Sequence, residues 1–223
     1  MTPVGDGIER EVKLAVDADF SLPLSLGEDG GPLVVKPLDP RYLDAVYHDA
    51  EDLRLLALGI TVRRRTGEGI RWTVKFPTAE LAAAGGSARR EVDVMTDTPN
   101  PPAAVVDLVA SALGGALLVP VARLVSQRDR WALLGGDGQS VAELDDDRVR
   151  VHHPVGTDDP LASPLGFREV EVEFGADADS DLIEWIVAQL IGAGASRAMV
   201  GSKAEQALAL LGRVPGRAGS SGG

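Results

Sequence analysis

The residues with most capacity for chemistry are charged side chains spaced two apart on strand-like segments. In Glu9-Arg10-Glu11-Val12-Lys13, an extended chain points Glu9, Glu11 and Lys13 to one face, since strand side chains alternate sides. Arg168-Glu169-Val170-Glu171-Val172-Glu173-Phe174 repeats the pattern, with Glu169, Glu171 and Glu173 opposite Val170, Val172 and Phe174. One such strand is ordinarily a solvated face. Cations obey the same alternation: Arg63 pairs in parity with Arg65, Arg128 with Arg130, and Lys75 lies opposite Trp72, Val74 and Phe76. Guanidinium forks and lysine ammonium groups suit phosphate oxygens. Clustered carboxylates without Cys or His suit a hard cation, Mg²⁺ or Mn²⁺, rather than zinc. The basic set is Lys13, Arg63, Arg65, Lys75, Arg128, Arg130 and Lys203; the acidic set is Glu9, Glu11, Glu91, Glu143, Asp145, Glu169, Glu171 and Glu173. Together they describe a site for a linear polyphosphate with bound metal, where an activated water attacks a terminal phosphorus in line.

The elements that must position these groups follow from period-2 patterns and turn signals. After the first strand, residues 17–32 read as a loop, then Tyr42–His48 as a strand, and Asp49–Leu53 as the acidic start of a short helix ended by Gly59. Ile60–Arg65 and Arg71–Phe76 form a hairpin around Gly67-Glu68-Gly69, with Pro77 stopping the second strand. Arg89–Met95 is the next strand; Pro101-Pro102 opens a helix closed by Gly114-Gly115. Val119–Leu134 is a long strand, and Val141–Leu144 and Val149–His153 read as a hairpin, with Asp145-Asp146-Asp147 in its turn. A Pro-rich loop at 154–164 leads to the second glutamate stripe, and helices follow at 180–191 and 202–211. Residues 213–223 read as a flexible tail or linker.

About eight strands with apolar residues on one face and charge on the other need cover for the apolar face. Closing the sheet with charge inward resolves this. The expected class is α+β, mainly β: an eight-stranded antiparallel closed barrel with helices packed outside. A tunnel holding both signs is costly to desolvate unless an ion or polyanion fills it.

Composition bounds the alternatives. The chain has 223 residues, no cysteine and a formal net charge of −12, which opposes general nucleic-acid binding. No apolar run approaches the ~20 residues of a membrane span, and the first residues lack a signal-peptide pattern, so a cytoplasmic location is expected. His48, His152 and His153 have no metal-ligand spacing and read as structural, as does Met199. Gly135-Gly136-Asp137-Gly138 precedes no helix with Lys-Ser/Thr and is not a phosphate loop. Arg10, Arg64 and Arg90 fall on the outward parity.

Glu9-x-Glu11-x-Lys13 resembles the signature of the CYTH superfamily, the triphosphate tunnel metalloenzymes. Tyr47-His48-Asp49 is similar to its Tyr-x-Asp-Thr element, with Ala50 in place of threonine. Arg63-Arg64-Arg65, Thr73-x-Lys75, Glu169-x-Glu171-x-Glu173 and Ser202-Lys203 match later family elements in order, over about residues 8–212. Ser126 stands where many members carry lysine. The resemblance implies a tunnel domain at 8–212, with Glu9, Glu11, Glu169 and Glu171 holding the metal and Glu143 and Glu173 as further ligands. It implies that Lys13, Arg63, Arg65, Lys75, Arg128 and Lys203 clamp a triphosphate, with Arg130 beside them on the inward parity. Glu11, Glu171 and Lys13 are the expected catalytic residues. Inorganic tripolyphosphate is the expected substrate, since no aromatic pair is placed to stack a base. A non-catalytic polyphosphate-binding module, a nucleotide or thiamine triphosphatase and a class IV-type adenylyl cyclase are the alternatives. Many bacterial members carry a C-terminal helical CHAD domain, to which the tail would be a linker.

Overall fold

A computed structural model describes residues 5–23, 26, 32–67, 69–96, 98–154, 163–197 and 201–215. Met199, Glu68 of the hairpin turn, residues 155–162 of the Pro-rich loop and residues 216–223 of the tail lie outside the described residues. Eight strands form one closed antiparallel barrel: β1 (Gly5–Ala15), β2 (Val34–Asp49), β3 (Thr61–Gly67), β4 (Gly69–Leu81), β5 (Ser87–Thr96), β6 (Val119–Leu134), β7 (Ser140–His152) and β8 (Gly166–Phe174). Around the barrel they run β1-β5-β4-β3-β2-β6-β7-β8, and β8 closes on β1. The helices are α1 (Arg54–Ala57), α2 (Ala103–Leu113), α3 (Ser180–Gly192) and α4 (Lys203–Leu210). No helix among the described residues is long and apolar enough to cross a membrane.

Two outer cores cover the apolar strand faces. Val62, Trp72, Val74 and Val94 pack under Val105, Val109 and Leu113 of α2 and Leu55 of α1. Val12, Leu14, Leu144, Val170 and Val172 pack under Ile183, Ile186, Val187 and Leu190 of α3. A third core lies on the other face. Ala204, Ala207 and Leu208 of α4 contact Ala122, Leu124, Val149 and Val151, which share the parity of the inward Arg128 and Asp147. Three helices therefore sit outside, while α4 closes one end of the lumen.

Several element boundaries differ from the sequence reading. β2 begins eight residues earlier, at Val34, despite Pro37 and Pro40. Its first half pairs with β6 alone, so the missing proline N–H groups fall on a free edge, and the register shifts between Leu38 and Arg41. β4 runs past Pro77 to Leu81 for the same reason: β3 ends its pairing at Thr61–Lys75, so Pro77 owes it no hydrogen bond. Helix α1 begins at Arg54 and has no acidic first turn. Asp49 instead ends β2 and reaches forward, its carboxylate accepting the N–H groups of Ala50 at 2.6 Å, Leu55 at 3.0 Å and Leu56 at 2.9 Å. The expected 141–153 hairpin is one continuous strand, β7, paired with β6 and β8 on its two sides. Asp145-Asp146-Asp147 is its middle, held extended by arginines on both faces rather than released into a turn.

Candidate functional site

Directly opposed residues of antiparallel strands share a face, so the register alone assembles the lumen. Lys13 opposes Glu171 and Glu11 opposes Glu173; on the far side of β8, Glu171 opposes Asp145 and Glu169 opposes Asp147. Asp147 and Asp145 then oppose Arg128 and Arg130 of β6. The other wall runs Tyr47–Arg63–Thr73–Asp93 and Thr61–Lys75–Glu91 across β2 to β5. Cations and carboxylates therefore face one another on both walls.

Among the sequence-predicted residues, Glu9, Glu11, Lys13, Arg63, Arg65, Lys75, Arg128, Glu171, Glu173 and Lys203 line one central cavity of about 60 Å³. Glu143, Arg130 and Glu169 share the lumen parity but are not among its lining residues. Glu143 accepts from Arg130 at 2.9 Å, while Glu169, fully buried, lies beneath Lys203. Lys203 enters because α4 starts at the lumen. Ser202 caps the helix, accepting from Glu205 N–H at 3.2 Å, while Glu205 accepts from Ser202 N–H at 2.6 Å.

The charges are heavily shared. Glu171 accepts from Lys13 and from Arg128 at 2.8 Å and lies 2.7 Å from Lys203. Burial opposes its charge, but Lys13, Lys203 and Arg128 hold its carboxyl well below the usual range. Lys203 also reaches Asp147 at 2.9 Å and Glu169, and Arg128 donates its Nε to Asp147 at 2.8 Å and an Nη to Asp145. Lys75 pairs with Glu9 and, at 2.9 Å, with Glu91. Arg65 differs: it forms no ion pair or hydrogen bond among the described residues. The charges of Arg63, then burial, then Arg71 and Arg128 push it down to about 10. The opposite crowding acts on Glu173, at the solvent-open mouth. The enclosing barrel wall and then Glu9, Glu11 and Glu143, with Lys75 opposing, push its carboxyl up to about 7.

A family model described as the CYTH domain matches residues 7–198. The chain belongs to the CYTH domain family. Two curated relatives, the uncharacterized proteins Rv2226 and MT2285 of two Mycobacterium tuberculosis strains, are each 32% identical over 177 residues, covering 74% of this chain and 33% of theirs. The chain therefore spans about a third of the length of the curated relatives it matches. Among solved structures, a Hippeastrum adenylyl cyclase candidate described as having a dominant triphosphatase activity superposes with a TM-score of 0.56 at 16% identity. The match covers 92% of this chain and 97% of that one. An adenylate cyclase candidate from Bacillus halodurans gives 0.56 at 15% identity over 91% and 98%. At these identities the likeness concerns the fold.

The CYTH barrel offers a divalent cation an all-oxygen donor set. Asp147, Glu169 and Glu171 each place one oxygen within 4.8 Å of the others, buried in the lumen wall. Lys203 and Arg128 already bridge that trio, whereas Glu9, Glu11, Glu171 and Glu173 face the cavity. Four carboxylates converging on one cavity, with no nitrogen or sulfur donor among them, fit a hard divalent cation.

The site includes residues beyond the sequence-predicted set. Asp147 is completely buried between Lys203 and Arg128, and its odd parity with Glu143 and Asp145 was the available signal. Tyr47 and Thr61 line the cavity, and Tyr47 stands directly opposite Arg63 across β2 and β3. Arg89 lines it too, opposite Glu9 on β5. His48 has no part in it: it lies buried against Trp72 with Nδ1 3.1 Å from the Val46 carbonyl.

Proposed function

We propose that this CYTH domain hydrolyses a linear triphosphate, inorganic tripolyphosphate before other candidates, with Mg²⁺ or Mn²⁺ as cofactor. The observation that carries the reading is the surplus of cations over carboxylates lining the lumen. In a chain of net charge −12, seven cations and four carboxylates line the cavity, and Arg65, crowded by Arg63, Arg71 and Arg128, forms no ion pair among the described residues. A polyanion offsets the surplus cations, and a divalent cation bridges it to the carboxylates. Glu9, Glu11, Glu171 and Glu173 would hold the cation, with Glu169 and Glu143 behind them. When bound, it lowers the pKa of a coordinated water and draws charge from phosphate oxygens. Arg63, Arg65, Arg128, Lys13, Lys75 and Lys203 would orient the phosphate chain and stabilise charge as the terminal bond breaks. Glu171, kept ionised by three cations, sets the positions of Lys13, Lys203 and Arg128 around that chain. Arg130, clamped by Glu143, would support the acidic wall rather than touch phosphate.

Tyr47 is the one aromatic residue among the described cavity-lining residues, so no pair of rings stands there to sandwich a base or a thiazolium. That favours tripolyphosphate over ATP or thiamine triphosphate and over a cyclase reaction. The same reading takes residues 8–212 as the tunnel domain and 213–223 as a linker, with a CHAD-type domain and a cytoplasmic setting in the longer protein. A second reading, a polyphosphate receptor without turnover, is favoured by one feature: the closest carboxylate trio is already bridged by Lys203 and Arg128.

The deciding experiment measures phosphate release from tripolyphosphate, ATP and thiamine triphosphate with Mg²⁺ or Mn²⁺. Release from tripolyphosphate above the others supports the hydrolase. No release from any, with tripolyphosphate still raising the melting temperature, would replace it with the receptor.

A further inference from the structure

A second cavity of about 520 Å³ adjoins the lumen at the end closed by α4. The two share Glu11, Lys13, Thr61, Arg89 and Ser202 in their walls, so a chain lying in the lumen can continue into the larger space. The wall of this vestibule is unusual in composition. Gly59, Gly85, Gly86 and Gly201 expose backbone, and Ser87 adds a hydroxyl. Val12 and Leu56 are its only large apolar side chains among the described residues, and no aromatic ring is among them.

Two arginines stand in it without a carboxylate partner among the described residues. Arg89, at the junction, donates to the Gly59 carbonyl at 2.5 Å and the Lys75 carbonyl at 3.2 Å. Arg197 lines the outer part and donates one Nη to the Ala84 carbonyl. The carboxylates present are engaged: Glu205 caps α4, and Glu11 lies 3.0 Å from Lys13. Guanidinium forks tethered to backbone carbonyls are held in place and keep free N–H groups for an anion. An uncharged nucleoside would find neither a stacking surface nor much apolar area here.

We propose that the vestibule is a distal phosphate subsite, in which Arg89 and Arg197 bind the units of a linear polyphosphate that extend beyond the three in the lumen. The proposal rests on the triphosphate reading of the lumen and extends its substrate class to longer chains. Arg89 serves both spaces, whereas Arg197 lies only in the outer one.

The test is calorimetric binding of tripolyphosphate, a longer linear polyphosphate and ATP to the whole chain, comparing wild type with Arg197→Gln and Ser87→Asp. Wild type is expected to bind the longer polyphosphate more tightly than tripolyphosphate. Arg197→Gln should weaken the longer chain about 3–10-fold and tripolyphosphate less than about twofold, because one exposed charge-assisted contact is lost. Ser87→Asp, which adds an anion on an exposed strand position without touching Arg197, should discriminate against the longer chain in the same sense. A melting temperature near the wild-type value in each variant is the check on folding. Equal affinity of wild type for both phosphates, with Arg197→Gln silent, would overturn the vestibule subsite and leave the lumen reading intact. Failure of wild type to bind tripolyphosphate would instead overturn the lumen reading, and the vestibule with it. A loss for ATP as large as for polyphosphate would reassign the vestibule to a nucleoside.

Discussion

Replacing Arg65 with glutamine is expected to make the protein more stable and worse at holding a triphosphate. Arg65 is pushed from its ordinary value down to about 10, first by the charge of Arg63, then by burial, Arg71 and Arg128. Each unit of such a shift is about 1.4 kcal/mol, so full credit would be about 3 kcal/mol of unfavourable charge in the folded state. The side chain is only partly buried, and solvent screening reduces this to about 1–2 kcal/mol. For a domain of this size that raises the melting temperature by roughly 2–8 °C. The same substitution removes a charge-assisted hydrogen bond to phosphate, worth about 1.5–3 kcal/mol, or roughly 10–150-fold in affinity. Thermal denaturation without ligand and calorimetric titration with tripolyphosphate read the two effects separately. A variant no more stable than wild type would refute the claim that Arg65 is held against like charge. Gained stability with unchanged affinity would refute its role as an anion ligand.

Further predictions address catalysis and the scaffold. Glu11→Gln keeps the side-chain shape but removes a proposed cation ligand. Phosphate release should drop beyond the ~10–100-fold typical of losing an outer partner of a metal site, with the melting temperature little changed; turnover near the wild-type rate would exclude Glu11 from catalysis. Burial, aided by the charge of Arg64 and opposed by the Val46 carbonyl, pushes His48 down to about 4. The unfolded chain takes up that proton near pH 6.5 and the folded protein does not, so stability falls as pH drops from 6.5 to 4, by up to about 3 kcal/mol. Urea midpoints at pH 7 and pH 5 should therefore differ more for wild type than for His48→Phe, and equal differences would exclude His48 as the cause. Asp49→Ala strands three backbone N–H groups at the β2–α1 junction and should cost about 2–4 kcal/mol in urea unfolding. A cost below about 1 kcal/mol would show that water replaces the carboxylate there.

The sequence made the strand faces legible because alternation needs only local information. Glu9, Glu11 and Lys13, or Arg63 and Arg65, share a face in any extended chain, and both sets line the cavity. The apolar opposite parities marked Trp72 and Val172 as outer core for the same reason. Local signals failed where long-range partners set the conformation. Three successive aspartates read as a turn because nothing nearby neutralises them, yet Arg128 and Lys203 from one side and Arg168 from the other hold them extended. Pro77 read as a strand end because sequence cannot say which edge lacks a neighbour.

What the sequence by itself determined is thus the alternating faces, the charge types on them and an ordered set of motifs that leads to the CYTH family. What only the tertiary structure decided is which charges meet. Barrel register sets Lys13 against Glu171 and Asp147 against Arg128. The return of α4 into the lumen seats Lys203 among Asp147, Glu169 and Glu171. The physical reason is that side-chain parity is a property of one strand, whereas electrostatic pairing in a closed barrel is a property of eight strands and a helix brought together.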